Sequence, residues 1–287
     1  PAFARVAYAW WQDTLKLGDD PLFDQAAAFA AQVTFENRSY SELLTATSGH
    51  CGSFDQTEGA FVAADCTNGV PEHAGLLTHP AAMKQYFSNL AFRRVKWVQE
   101  TFACTQFPVE NAAEPTDVGG LAPYTGLYPF DSVPGLDTGR IDFRDTSAVI
   151  CANCHSTMNH IAPLFAYFDE DGQYTAEMSV PTPLEGSPLA QLSDYLIDGE
   201  SLAWRYGGAA TPTLPALGAE MVADPAIAEC AIARAWNWAL GKGDVVEALR
   251  EVPTEIIADQ ITAFAANEYK FKDALFAVFT SEDFVRF

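Results

Sequence analysis

Ile150-Cys151-Ala152-Asn153-Cys154-His155 is the stretch from which the rest of the chain is read. Cys-x-x-Cys-His is the spacing of c-type haem attachment. Two thiols three positions apart on a helical turn reach the two vinyl groups on one porphyrin edge and become thioethers. The next residue, His155, then faces the iron as its proximal ligand. Cys-x-x-Cys by itself also serves zinc ribbons and thioredoxin-like dithiols. A zinc ribbon needs a second ligand pair, whereas Cys51, Cys66, Cys104 and Cys230 are isolated singles. A thioredoxin-like centre needs a strand opening a βαβ frame, and the flanks here offer none. The expectation is one covalent haem c on Cys151 and Cys154, with His155 on the metal.

Outward from the motif, Met158, Ile161, Ala162 and Phe165 keep helical spacing, so a helix is expected to about Phe168, kinked at Pro163. Asp169-Glu170-Asp171-Gly172 reads as a turn and lacks the ligand alternation of a calcium loop. Upstream, residues 108–137 are rich in Pro and Gly but carry Leu121, Tyr124, Leu127, Tyr128 and Phe130, which suits an extended, packed linker. Thr78-His79-Pro80 starts a long helix expected to run to about Cys104. Arg93, Arg94 and Lys96 cluster on it, either as a salt-bridged face or as a contact for haem propionates or an acidic partner.

Farther out, Phe3 to Leu15 has helical spacing, with Phe3, Val6, Ala7, Trp10 and Trp11 on one side. Asp20-Pro21 reads as an N-cap with Pro at the first position, opening a helix to about Val33. Ser39 with Glu42 reads as a capping box for a helix to Ala46. Residues 48–72 form a polar loop with a short hairpin at 59–64, and 180–188 form a Pro-rich loop. Helices are expected over 188–197 and 201–206, from Asp224-Pro225 to Gly241, over 254–267 and over 271–279. The fold class is mainly α: a cytochrome c-like haem module embedded in a larger helical scaffold with long Pro/Gly-rich loops. The expected division is a helical region over 1–74 with a disulfide loop, a haem-binding region over 75–222, and a C-terminal helical region over 223–287.

The 287 residues are 49% hydrophobic and 13% aromatic, enough for a sizeable core. No run approaches the ~18 apolar residues of a membrane span. A net charge of −22 argues against nucleic acid and anionic membranes as partners. Pro1 in place of an initiator Met suggests a processed or trimmed form. Thioether formation takes place outside the cytoplasm, so a periplasmic, extracellular or cell-surface location is expected, where disulfides persist. Four cysteines then remain and allow three pairings. The favoured one is Cys51–Cys66, closing the polar loop, with Cys104–Cys230 tying distant helices.

The sixth iron ligand decides between electron transfer and chemistry at the metal. Met178, in a loop before Pro181 and Pro183, is the first candidate, with Met221 and His79 as alternatives. Each has a plainer role, as core filler for the methionines and helix cap for the histidine. Met158 and His160 follow His155 too closely to cross to the other face. His50 and His73, in the polar loop, are expected to be exposed. Arg140 and Arg144 are candidates for propionate pairing, and Trp204 and Tyr206 for packing on the porphyrin.

Several runs together resemble a family of secreted planctomycete and myxobacterial proteins of unknown function. They are Gly75-Leu76-Leu77-Thr78-His79-Pro80, Arg93-Arg94, Cys104, and Cys151 to His155 followed by Met158 and Phe168-Asp169-Glu170-Asp171-Gly172. Cys230 to Leu240-Gly241 and Ser281 to Phe284 resemble the companion C-terminal domain. The resemblance implies a cytochrome c-like module outside the cytoplasm and names no substrate. Where that family has Asp-Pro after the position of Met158, this chain has Asn159-His160. The expected role is a monohaem electron carrier working with a redox partner protein or neighbouring cytochrome subunits. The alternative is a peroxidase-like haem enzyme with an open distal side.

Overall fold

A computed structural model describes residues 1–18, 20–107, 144, 149–184 and 186–285. It is mainly helical. In chain order the elements are α1 Ala2–Leu15, α2 Pro21–Phe35, α3 Glu42–Thr45, β1 Ser53–Asp55, β2 Ala60–Val62, α4 Pro80–Gln85 and α5 Phe92–Phe102. There follow α6 Val149–Phe165, α7 Leu214–Ala223, α8 Pro225–Ala239, α9 Val246–Arg250, α10 Thr254–Ala266, α11 Phe271–Thr280 and α12 Glu282–Val285. No helix among the described residues is long and apolar enough to cross a membrane.

The centre is α2. Its Asp20 carboxylate accepts the Leu22 N–H at 2.9 Å, Pro21 takes the first position, and Ala26 to Ala31 are buried on every side. A helix apolar all round belongs inside. Against it packs α1, where Trp10 and Trp11 turn inward while Val6 remains 47% exposed, contrary to the expected face. Trp10 stacks on Phe271 of α11 with centroids 5.2 Å apart, so the two ends of the described chain share one core. The hairpin expected over 59–64 lies farther upstream, over 53–62, with Gly59 at positive φ in its turn and Phe54 paired with Phe61. Both expected disulfides are present: Cys51–Cys66 with Cα atoms 5.0 Å apart and Cys104–Cys230 at 5.3 Å.

Three expectations fail. The helix expected from Thr78 to Cys104 is two helices, α4 and α5, separated at Leu90 and Ala91, both at φ of +53°. The Leu90 N–H donates instead to Pro181 O at 2.9 Å, a tertiary bond that replaces the helical one. The helices expected over 188–197 and 201–206 shrink to a 3₁₀ turn at Leu192–Asp194 and isolated bridges, Pro181 to Leu189 and Ala203 to Ala210. Ser41, not Ser39, precedes α3, because Glu42 pairs with Arg38 and Ser39 bridges to Lys270. The expected linker over 108–137 lies outside the described residues.

Candidate functional site

The Cys-x-x-Cys-His motif lies in α6. At 3.6 residues per turn, positions 151, 154 and 155 share one helix face. His155 Nδ1 lies 2.9 Å from Asn159 Oδ1, one turn on. An amide oxygen only accepts, so Nδ1 carries the proton and Nε2 carries the lone pair of the neutral ring. Burial lowers the His155 pKa, against the Asn159 bond that raises it, and so favours that neutral form. Phe92, the first residue of α5, braces the imidazole edge-on at 5.0 Å, and Tyr195 packs perpendicular to Phe92 at 6.1 Å. The Tyr195 hydroxyl is buried without a hydrogen-bond partner among the described residues.

Farther along α6, His160 is buried, with Nε2 3.6 Å from the Glu200 carboxylate and its ring 5.0 Å from Tyr206. Ala203 N–H donates to His160 O at 3.1 Å and seats the 203–206 loop beside the helix. Trp204 turns away and donates to Asp224. Arg144 donates to the Ser193 carbonyl at 3.1 Å, and Arg140 lies outside the described residues.

The far end of α6 is held by Arg94, fully buried on α5. Its guanidinium donates to the carbonyls of Met83, Phe165, Phe168 and Asp169 at 2.5 to 2.9 Å. Arg94 therefore belongs to neither expected class, salt-bridged face or propionate contact. A planar fork of five donors suits a cluster of helix-end carbonyls, whose partial charge is negative. Lys96 alone fits the salt-bridged face, 3.7 Å from Glu100.

The three candidates for the sixth ligand do not gather opposite His155. Ser179 N–H donates to Ala166 O at 2.8 Å, which fixes the neighbouring Met178 at the far end of α6. Eleven residues of helix separate that point from His155, on the order of 15 Å. Donor atoms across one metal lie only about 4 Å apart. Met221 is wholly buried in α7, which packs on α3 through Gly218. His79 is the N-cap of α4: Nδ1 accepts the Ala81 N–H at 3.1 Å, and Nε2 lies 3.5 Å from Cys51 Sγ. Every Met and His of the chain is among the described residues. Of these, Met158 and His160 share α6 with His155.

His50 and His73 also depart from expectation. His50 is wholly buried and His73 half-buried, because the His50 ring packs on Phe29 and His79 and His73 packs on His50. Asn159 could have been found from its i, i+4 spacing to His155, whereas Phe92 and Tyr195 carry no local signal. No family model, no curated protein and no solved structure matches this chain.

Proposed function

We propose that this chain is an extracytoplasmic haem c protein that carries single electrons, with the haem bonded to Cys151 and Cys154 and His155 on the iron. The observation that carries the reading is the Asn159-held tautomer of His155, on the helix that contains positions 151 and 154. A hydrogen-bond acceptor on Nδ1 orients a ligating imidazole and raises its basicity. Phe92 and Tyr195 supply the apolar side of such a site, and the Tyr195 hydroxyl, unpaired among the described residues, is a donor that a propionate would satisfy. When bound, haem supplies a one-electron ferric/ferrous couple. The two disulfides suit the oxidising compartment that thioether formation requires.

A second reading is favoured by the placement of Met178, Met221 and His79, which leaves the sixth position to a ligand from elsewhere. A peroxidase-like enzyme keeps that position open, whereas a carrier fills it, here from a partner chain. The test is the intact mass and ferric spectrum of the purified chain co-expressed with haem-attachment machinery. One haem per chain and low-spin iron support the carrier. High-spin iron that takes up cyanide supports the enzyme. Colourless protein with two unmodified thiols at 151 and 154 overturns both.

A further inference from the structure

His50 lies in the core, where its only polar neighbour of hydrogen-bonding kind among the described residues is the Ser48 backbone, too poorly aligned to satisfy either ring nitrogen. The His73 ring is 4.7 Å away, centroid to centroid and inclined 65°, and its Nδ1 is likewise buried and unsatisfied. An unpaired buried polar atom costs roughly 1–3 kcal/mol, so a spare nitrogen on each of two adjoining rings calls for a shared partner. The third imidazole of the group, His79, has both nitrogens engaged, by the Ala81 amide and the Cys51 sulfur. His50 and His73 are therefore the ones with ligand capacity.

We propose that His50 and His73 together bind a divalent transition metal of the Zn(II) or Cu(II) class. Imidazole nitrogens suit that class. Metal–nitrogen bonds of about 2.0–2.1 Å put the ring centres of two imidazoles on one tetrahedral ion about 5 Å apart, close to the separation seen. His73, though not His50, lines a cavity of about 370 Å³ with Thr45, Thr47, Pro71, Glu72 and Pro215, and an ion would reach the pair from that side. Glu72 lines the same cavity as His73, and water can complete the coordination. Burial lowers the pKa of both rings, His50 to about 4, so protons do not compete for the nitrogens near neutrality. The site is independent of the haem-attachment motif and stands if that assignment fails.

The test uses the full chain with disulfides intact and the thiols at 151 and 154 either bonded to haem or alkylated, so that they cannot take metal. Calorimetric titration with Zn(II) at neutral pH is expected to give one ion per chain. His73→Gln and His50→Gln are each expected to weaken binding at least tenfold. Cu(II) in the wild-type site is expected to show an electron paramagnetic resonance pattern from two nitrogens. Should His50→Gln fail to fold, His73→Gln, at a half-buried ring, still decides the matter. No uptake of Zn(II), or uptake that His73→Gln leaves unchanged, overturns the proposal.

Discussion

Arg94 Nη1 donates to the carbonyl oxygen of Phe165 at 2.8 Å, tying α5 to the last residue of the helix that carries Cys154 and His155. The same guanidinium holds Phe168, Asp169 and Met83, with no carboxylate among these acceptors. Burial pushes its pKa down to about 9, so it is charged at neutral pH and its solvation comes from backbone. Arg94→Met leaves those carbonyls buried and unpaired, at roughly 1–3 kcal/mol each. The expected loss is at least about 3 kcal/mol in urea unfolding. Arg94→Lys should recover only part, because an ammonium cannot span carbonyls from two elements. Full recovery by Lys would mean that charge rather than the planar fork matters.

Gly218 reverses the usual helix rule. It sits within α7, where Ala ordinarily stabilises by about 1 kcal/mol over Gly. Here a Cβ would sit inside the contact distance of Leu44 O on α3, and a backbone carbonyl cannot rotate aside. Gly218→Ala is expected to lower the thermal midpoint, costing about 1–3 kcal/mol as an overpacking substitution. A raised midpoint would show that α3 and α7 can separate.

The disulfides should differ in worth. Cys104–Cys230 spans 126 residues and Cys51–Cys66 spans 15. By loop-closure entropy their removal costs about 5 and about 3 kcal/mol. Paired Cys→Ala variants, compared by urea midpoint, are expected to follow that order.

Much of the fold was legible because it rests on local chemistry. Asp20-Pro21 and Asp224-Pro225 open helices with their carboxylates on backbone N–H groups, as their residue types dictate. The break at Leu90 and Ala91 was not legible, since a bond from Leu90 to the sequence-distant Pro181 decides it. The inward turn of His50 and His73 has the same origin: composition marks 48–72 as polar loop, while packing against Phe29 and His79 comes from the tertiary fold. Within the site the helix spacing revealed the motif. That Met178 stands at the far end of α6, away from the motif, depended on the Ser179–Ala166 bond, which no spacing encodes.

Asn159 offers a functional test of the haem proposal. On haem-loaded protein, Asn159→Leu removes the acceptor from His155 Nδ1. A less basic imidazole stabilises the ferric state less, so the reduction potential is expected to rise. An unchanged potential in protein titrated spectroscopically would mean that Asn159 has no hold on the ligand.

All five histidines have their pKa pushed down by burial, His50 to about 4 and His79 to about 3. Unfolded, each titrates near 6.5. Between the folded and unfolded values the unfolded chain binds more protons, so stability rises with pH across that window. The contribution is complete above about pH 6.5 and drains away as pH falls toward 4 and 3. Between pH 7 and pH 5 most carboxylates stay ionised, and His50 and His79 should each remove roughly 2 kcal/mol. Urea midpoints taken every half unit are expected to fall over that interval at constant ionic strength. His79→Asn, which retains an N-cap acceptor but cannot titrate, should flatten the slope by about a third to a half on a lower baseline. A wild-type midpoint level from pH 7 to pH 5 would mean that these rings are protonated in the folded chain.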